Sequence, residues 1–190
     1  MVDRLVESSL KSLAYFLKNN VDGVSECWVG NPDFDYDKMP DSSNPNRMVS
    51  RPLPFMVVSP ISDESVPFSM GNILYEQNIS VDIGVYDTNS TNLWIHTGSM
   101  KQALKEAVHP TTGEIGIQLL NIASGVVYPD AGCLQVELEG TEYFGGNASE
   151  DVSGNRRYSS HTIINLTAFK DKEATLLENK GNIGIDDNGI

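Results

Sequence analysis

The sequence predicts an α/β (α+β) subunit: a mixed, mainly antiparallel sheet with one very long strand, flanked by two helices, plus an extended loop and a C-terminal arm. Three observations carry this reading. First, Ile73–Tyr86 reads ILYEQNISVDIGVY, with Ile73, Tyr75, Gln77, Ile79, Val81, Ile83 and Val85 on one row. The other row is Leu74, Glu76, Asn78, Ser80, Asp82, Gly84 and Tyr86. Successive strand side chains point to opposite faces, so this is a strand with one apolar and one mostly polar face. At ~3.3 Å per residue it reaches about 45 Å, longer than the usual ~3–10 residues. A strand of that length is expected to overrun its subunit and expose a pairing edge. Second, Leu5, Val6, Ser9, Leu10, Leu13, Phe16 and Leu17 recur at helical spacing and make one stripe. Third, Pro32, Pro40, Pro45, Pro52 and Pro54 crowd Asn31–Pro54, which proline density marks as a loop or extended arm. One domain over residues 1–170, with the loop insertion 31–54, and an arm over 171–190 follow.

In chain order, the first helix is Val2–Asn19, stopped by Asn20 and Gly23. Val24–Val29 is a short strand. Phe55–Ser59 is an apolar strand ended by Pro60, and Ile61–Gly71 is a polar loop before the long strand. Thr91 or Ser90 offers an N-cap for a second helix, Leu93–Val108. Its stripe is Leu93, Thr97, Met100, Leu104 and Ala107, with Gly98 its weak point and His109-Pro110 its end. Ile115–Val127 fits strand or short helix. Cys133–Tyr143 alternates Leu134, Val136, Leu138 with Gln135, Glu137, Glu139, a strand with an acidic face. A glycine- and serine-rich connector, Phe144–Asn155, leads to the last strand, Arg156–Lys170, with Tyr158, Ile164, Leu166 and Ala168 on one face.

The 190 residues carry a formal net charge of -13. A surface of that sign repels nucleic acid, so a sequence reader of DNA is excluded, while a wall past which DNA slides is not. Cys27 and Cys133 form no CxxC pair and read as buried, reduced thiols. No apolar run approaches a membrane span of ~20 residues, and the N-terminus lacks a signal-peptide core, so the chain reads as made in a cytoplasm without a membrane partner. Asp33, Asp35 and Asp37 alternate like the first ligands of an EF-hand. Lys38 stands at the required glycine and Asn44 at the required glutamate, so a solvated acidic loop is the reading. His96, read as solvated, His109, read as a cation at a helix end, and His161, read as structural, form no metal-ligand spacing. No nucleophile elbow and no phosphate-cradling or dinucleotide-binding glycine motif occurs. Neither a catalytic residue, a metal site nor a cofactor is expected. Arg156-Arg157 is the one basic doublet, fit to grip a phosphate or a partner's carboxylate.

The order helix, short strand, proline-rich excursion, core strand, long strand, second helix and closing strands resembles the tail-terminator and neck (head–tail joining) proteins of tailed bacteriophages. The matching stretches are Leu5–Leu17, LPFMVVSP, YEQNISVDIGVYD leading into Leu93–Val108, and RRYSSHTIINLTAF. The excursion 31–54 and the tail are longer than the minimal family pattern. The resemblance implies a virion protein forming a hexameric ring at the head–tail junction. Such a ring stops tail-tube polymerisation, joins the tail to the head connector and lets DNA through. Implied partners are further copies of the chain, the tail tube protein, a sheath where present, and neck proteins. Glu76, Asp82, Glu137 and Glu139 would include lumen-facing residues; the loop and arm would clasp neighbours. Trp28, Tyr36, Trp94, Arg156 and Arg157 are the candidate interface residues. The alternatives are another neck, head-completion or baseplate protein, an acidic β-rich ligand-binding module stacking on Trp28, Tyr36 and Trp94, or an enzyme of unfamiliar type.

Overall fold

A computed structural model describes residues 4–24, 26–30, 38–50, 52–67, 74–123, 126–144 and 158–171. The elements are α1 (Arg4–Asn20), β1 (Glu26–Val29), β2 (Lys38–Pro40), β3 (Met48–Ser50), β4 (Phe55–Pro67), β5 (Leu74–Asp87), α2 (Ser90–Lys105), β6 (Ile117–Ala123), β7 (Val126–Phe144) and β8 (Tyr158–Asp171). Six strands form one sheet in the order β1-β4-β5-β8-β7-β6, and β2 and β3 form a separate hairpin. Only β1 and β4 run parallel; every other neighbouring pair is antiparallel. The α+β class read from the sequence is therefore observed.

The apolar row of β5 is the floor of the core. Ile79, Val81, Ile83 and Val85 are completely buried. Met56 and Val58 of β4 and Ile164, Leu166 and Ala168 of β8 share this side by register. Both helices cover it. α1 presents Leu10, Leu13 and Leu17, and α2 presents Leu93, Met100 and Leu104. The sheet curls around α1, which touches β1 and β6, strands from opposite edges. Ser12, Thr97 and Ser160 are paired within this core, whereas the buried Ser9 hydroxyl has no hydrogen-bond partner among the described residues. The Ser12 hydroxyl donates to the Ser8 carbonyl at 2.6 Å and accepts the Leu120 amide at 2.8 Å. Thr97 and Ser160 share a hydrogen bond of 2.7 Å between α2 and β8.

The long strand does not expose a pairing edge, contrary to the sequence reading. β5 is fully flanked within its own chain, by β4 from Phe55 to Pro67 and by β8 from Tyr158 to Asp171. Both neighbours are as long as it is, so its amides and carbonyls need no second subunit. The half-bare strands are β4 and β7. β1 covers only Phe55–Val58 of β4, and β6 covers β7 only as far as Leu134. The bare half of β4 breaks register between Pro60 and Ser62. The bare half of β7 breaks register between Leu138 and Gly140 and carries Glu137, Glu139 and Glu142. Proline, bulges and edge charge are the means by which sheet edges resist adding a strand.

Other differences are local. Pro60 does not end β4, because proline is tolerated at a bulge on an edge that donates no ladder bond there. The excursion contains the β2/β3 hairpin, whose turn is fixed by the Ser43 amide donating to the Asp41 carboxylate. The cap of α2 is Asn89, whose side-chain oxygen accepts the Asn92 amide, rather than Ser90 or Thr91. Residues 117–123 are a strand, paired antiparallel with β7. Gly116, just before it, has φ +144, and an added Cβ would stand 2.4 Å from the Leu134 carbonyl oxygen. The connector 145–157 and the arm beyond Asp171 lie outside the described residues.

Replacing Ser12 with alanine strands a buried Leu120 amide. The expected cost is about 1–3 kcal/mol, read as a lower urea midpoint at unchanged slope. Thr91→Ala, on an exposed first helical turn, should move the midpoint little.

Candidate functional site: the helix-free face of the sheet

The face of the sheet turned away from both helices carries the even row of β5. Register places Glu76, Asn78, Ser80, Asp82, Gly84 and Tyr86 there, with Glu64 of β4 opposite Asn78. From β8 come His161, Ile163, Asn165 and Thr167, and from β7 come Gln135, Glu137, Glu142 and Phe144. Glu139, at the bulge, turns to the same face, because the Asn165 amide donates to its carboxylate at 2.6 Å. All four carboxylates expected from the sequence, Glu76, Asp82, Glu137 and Glu139, therefore share one surface. Glu64 and Glu142, which alternation in isolated strands did not single out, join them. Among the described residues of β4, β5, β7 and β8, no lysine or arginine shares this face.

Neutral donors hold much of this row in place. Asn78 donates to Glu76 at 2.9 Å and accepts from the Thr167 hydroxyl at 2.9 Å. Such contacts orient carboxylates without cancelling their charge. Adjacent strands lie about 4.8 Å apart, within a Debye length of ~8 Å at physiological salt. The fields of neighbouring carboxylates therefore add across the sheet.

His161 is the exception. Its Nδ1 lies 2.8 Å from Asp82 Oδ2, and Glu142 is directly opposite across β7. The Asp82 hydrogen bond, helped by the charges of Asp82 and Glu142, holds the His161 pKa above its ordinary value despite partial burial. The other oxygen, Asp82 Oδ1, is buried without a hydrogen-bond partner among the described residues. Around His161 runs a row of rings across five strands. Trp28 tilts onto Phe55 at 5.3 Å, and Phe55 stacks on Tyr86 at 4.8 Å. His161 stands edge-on to Tyr86 at 6.0 Å and to Phe144 at 5.4 Å. Gly84 makes this possible: Tyr86 folds back over it, and a Cβ there would come within 2.9 Å of the ring.

The remaining sequence-derived candidates separate. Trp28 sits half-buried in the ring row, and Trp94 stands out from α2 with 64% of its surface exposed. Tyr36, Arg156 and Arg157 lie outside the described residues, as do Asp33, Asp35 and Asp37. His96 is not solvated: Nδ1 sits 2.6 Å from buried Asp87 Oδ2, tying α2 to the end of β5. His109 does not serve the helix dipole. Its ring is buried, and Nδ1 accepts the Thr111 and Thr112 amides at 3.3 and 3.2 Å, so it organises the turn. Both cysteines are free. Burial pushes the Cys27 thiol up to about 12, and burial with the Glu114 carboxylate raises Cys133. Neither is an activated nucleophile. Among the described residues no three His, Cys, Asp or Glu side chains are grouped to hold a metal ion, and no helix is long and apolar enough to cross a membrane.

The raised His161 pKa fixes a sign. Its contribution to stability is fully present below the unfolded value near 6.5 and is lost as pH rises through the folded value. Asp82→Asn should bring the His161 titration, followed by NMR of the ring protons, back down towards the ordinary range and shrink that component. An unchanged titration would separate Asp82 from the shift. No known protein-family model matches the chain, and no curated protein sequence matches it.

Proposed function

We propose that the chain is a structural subunit of a closed ring, with the helix-free sheet face turned to the lumen, and that this ring sits at the head–tail junction of a tailed bacteriophage. The observation that carries the reading is the continuous face bearing Glu64, Glu76, Asp82, Glu137, Glu139 and Glu142 without a lysine or arginine among its described residues. A lumen through which DNA must pass without sticking needs a wall of this sign, since binding of DNA is dominated by cations that neutralise phosphate. The resemblance in element order supplies the location. The ring would end the tail tube, meet the head connector on its other side, and make no sequence-specific contact with DNA.

Electron microscopy of the purified protein tests this. The expected image is an annulus of discrete symmetry, six-fold by the resemblance, with a pore near the width of duplex DNA, matched by a single oligomer mass in native mass spectrometry. A chain that stays single at its highest soluble concentration would end the proposal.

The ring row Trp28–Phe55–Tyr86–His161–Phe144 favours a second reading, an acidic binding module that stacks a sugar or peptide on Phe144 and its neighbours. A monomer whose Trp28 fluorescence in a Trp94→Phe background responds saturably to a glycan would establish it. Silence across panels of glycans and peptides would remove it.

A further inference from the structure

The two half-bare sides of the sheet differ in chemistry. Residues 88–105, which include all of α2, contain no aspartate or glutamate, in a chain with 26 acidic and 13 basic residues. The outer surface of α2 instead shows Trp94 and Ile95, exposed by 64% and 58%, together with Lys101 and Lys105. Trp94 meets Tyr143 of β7 edge-on at 6.5 Å, and Lys101 Nζ lies 6.0 Å from the centre of the Tyr143 ring. The patch therefore spans α2 and the helix side of β7 at Tyr143, with Glu142 turned to the other face. Neither lysine has an ion-pair partner among the described residues. On the opposite side, the bare half of β4 exposes Ile61 by 55%, and near it Asp63, which register places opposite Ile79 and so on the helix side, is exposed.

We infer that these two patches bind one another between copies of this chain: the acidic, aliphatic side of β4 of one copy seats on the lysine-bearing aromatic side of α2 and β7 of the next. Lys101 and Lys105 of α2 and Asp63 of β4 each stand with exposed apolar side chains, and their signs are opposite. The patches lie on opposite sides of one sheet, so the contact joins unlike surfaces. Such contacts repeat from copy to copy and close into a ring when the rotation allows. Continuous strand addition is not the mechanism, because Pro60 and the bulges interrupt both edges. Side chains make the contact, with Trp94 at its centre, the kind of anchor on which binding energy concentrates. This inference rests on the assembly reading above and adds which surfaces meet.

The test uses the double variant Lys101→Glu with Lys105→Glu, and the single variant Asp63→Lys. In the first, both patches are acidic; in the second, both are basic. Each alone should associate at least about tenfold more weakly than the parent chain, as expected for like charges brought together across an interface. An equimolar mixture should recover assembly, because each variant now complements the other. Carbodiimide cross-linking of mixed light- and heavy-isotope parent protein should join Lys101 or Lys105 to Asp63 of another copy. A ring that survives in both variants, cross-linked elsewhere, overturns this contact and leaves the ring standing. A parent chain that remains monomeric overturns both.

Discussion

The dry row of β5 is the constraint from which the rest of the structure follows. Four side chains, Ile79, Val81, Ile83 and Val85, must be covered along a strand flanked on both edges. Covering them requires two helices on one side, and it is this that leaves the other side free of helices. Curling of the sheet brings β1 and β6 onto α1, and the Ser12 hydroxyl satisfies the Leu120 amide where that packing would otherwise strand it. One hydroxyl at one helix position thus helps hold two distant parts of the chain together.

The acidic face is the counterpart of that core. Alternation forces every residue between two buried ones to the far side, so Glu76, Asp82 and Glu137 occupy one surface because of where their apolar neighbours must go. The aromatic row obeys the same geometry, with one addition. Gly84 leaves room over the backbone, and Tyr86 uses it to reach Phe55 on one side and His161 on the other. His161 draws its proton affinity from Asp82 and Glu142, three residues from three strands that meet only in the sheet.

Much of this was legible in the sequence, and the failures have specific causes. The two helical stripes and the alternation of β5, β7 and β8 were readable because each is long and periodic. Parity put Glu76 with Asp82 on one strand face and Glu137 with Glu139 on another, and pairing through β8 brings the two faces together. Parity cannot see partners, so the neighbours of β5 and the coverage of its edges were missed. Proline at position 60 read as a stop because a bulge on a bare edge leaves no local mark. His96 and His109 read as surface residues because their partners are a buried aspartate and two turn amides, and neither partner is visible as spacing. The Asn89 cap was one residue outside the pair considered. The exposed Trp94 and acid-free α2 were visible as composition, but their place beside Tyr143 needed the packing of α2 against β7.

The interrupted edges of β4 and β7 set the character of any association this chain makes. A ladder of main-chain hydrogen bonds between molecules would be nearly indifferent to sequence and hard to undo, and it would tempt a concentrated β-rich protein towards fibrils. Along the bare halves of β4 and β7, Pro60, the offset ladders and the glutamates close that route. In the proposed ring, recognition would be left to surface relief and opposite charge, which ionic strength can loosen and a single altered side chain can redirect. Copies assembling in that way would accumulate, sample wrong neighbours and separate again before committing to the right one.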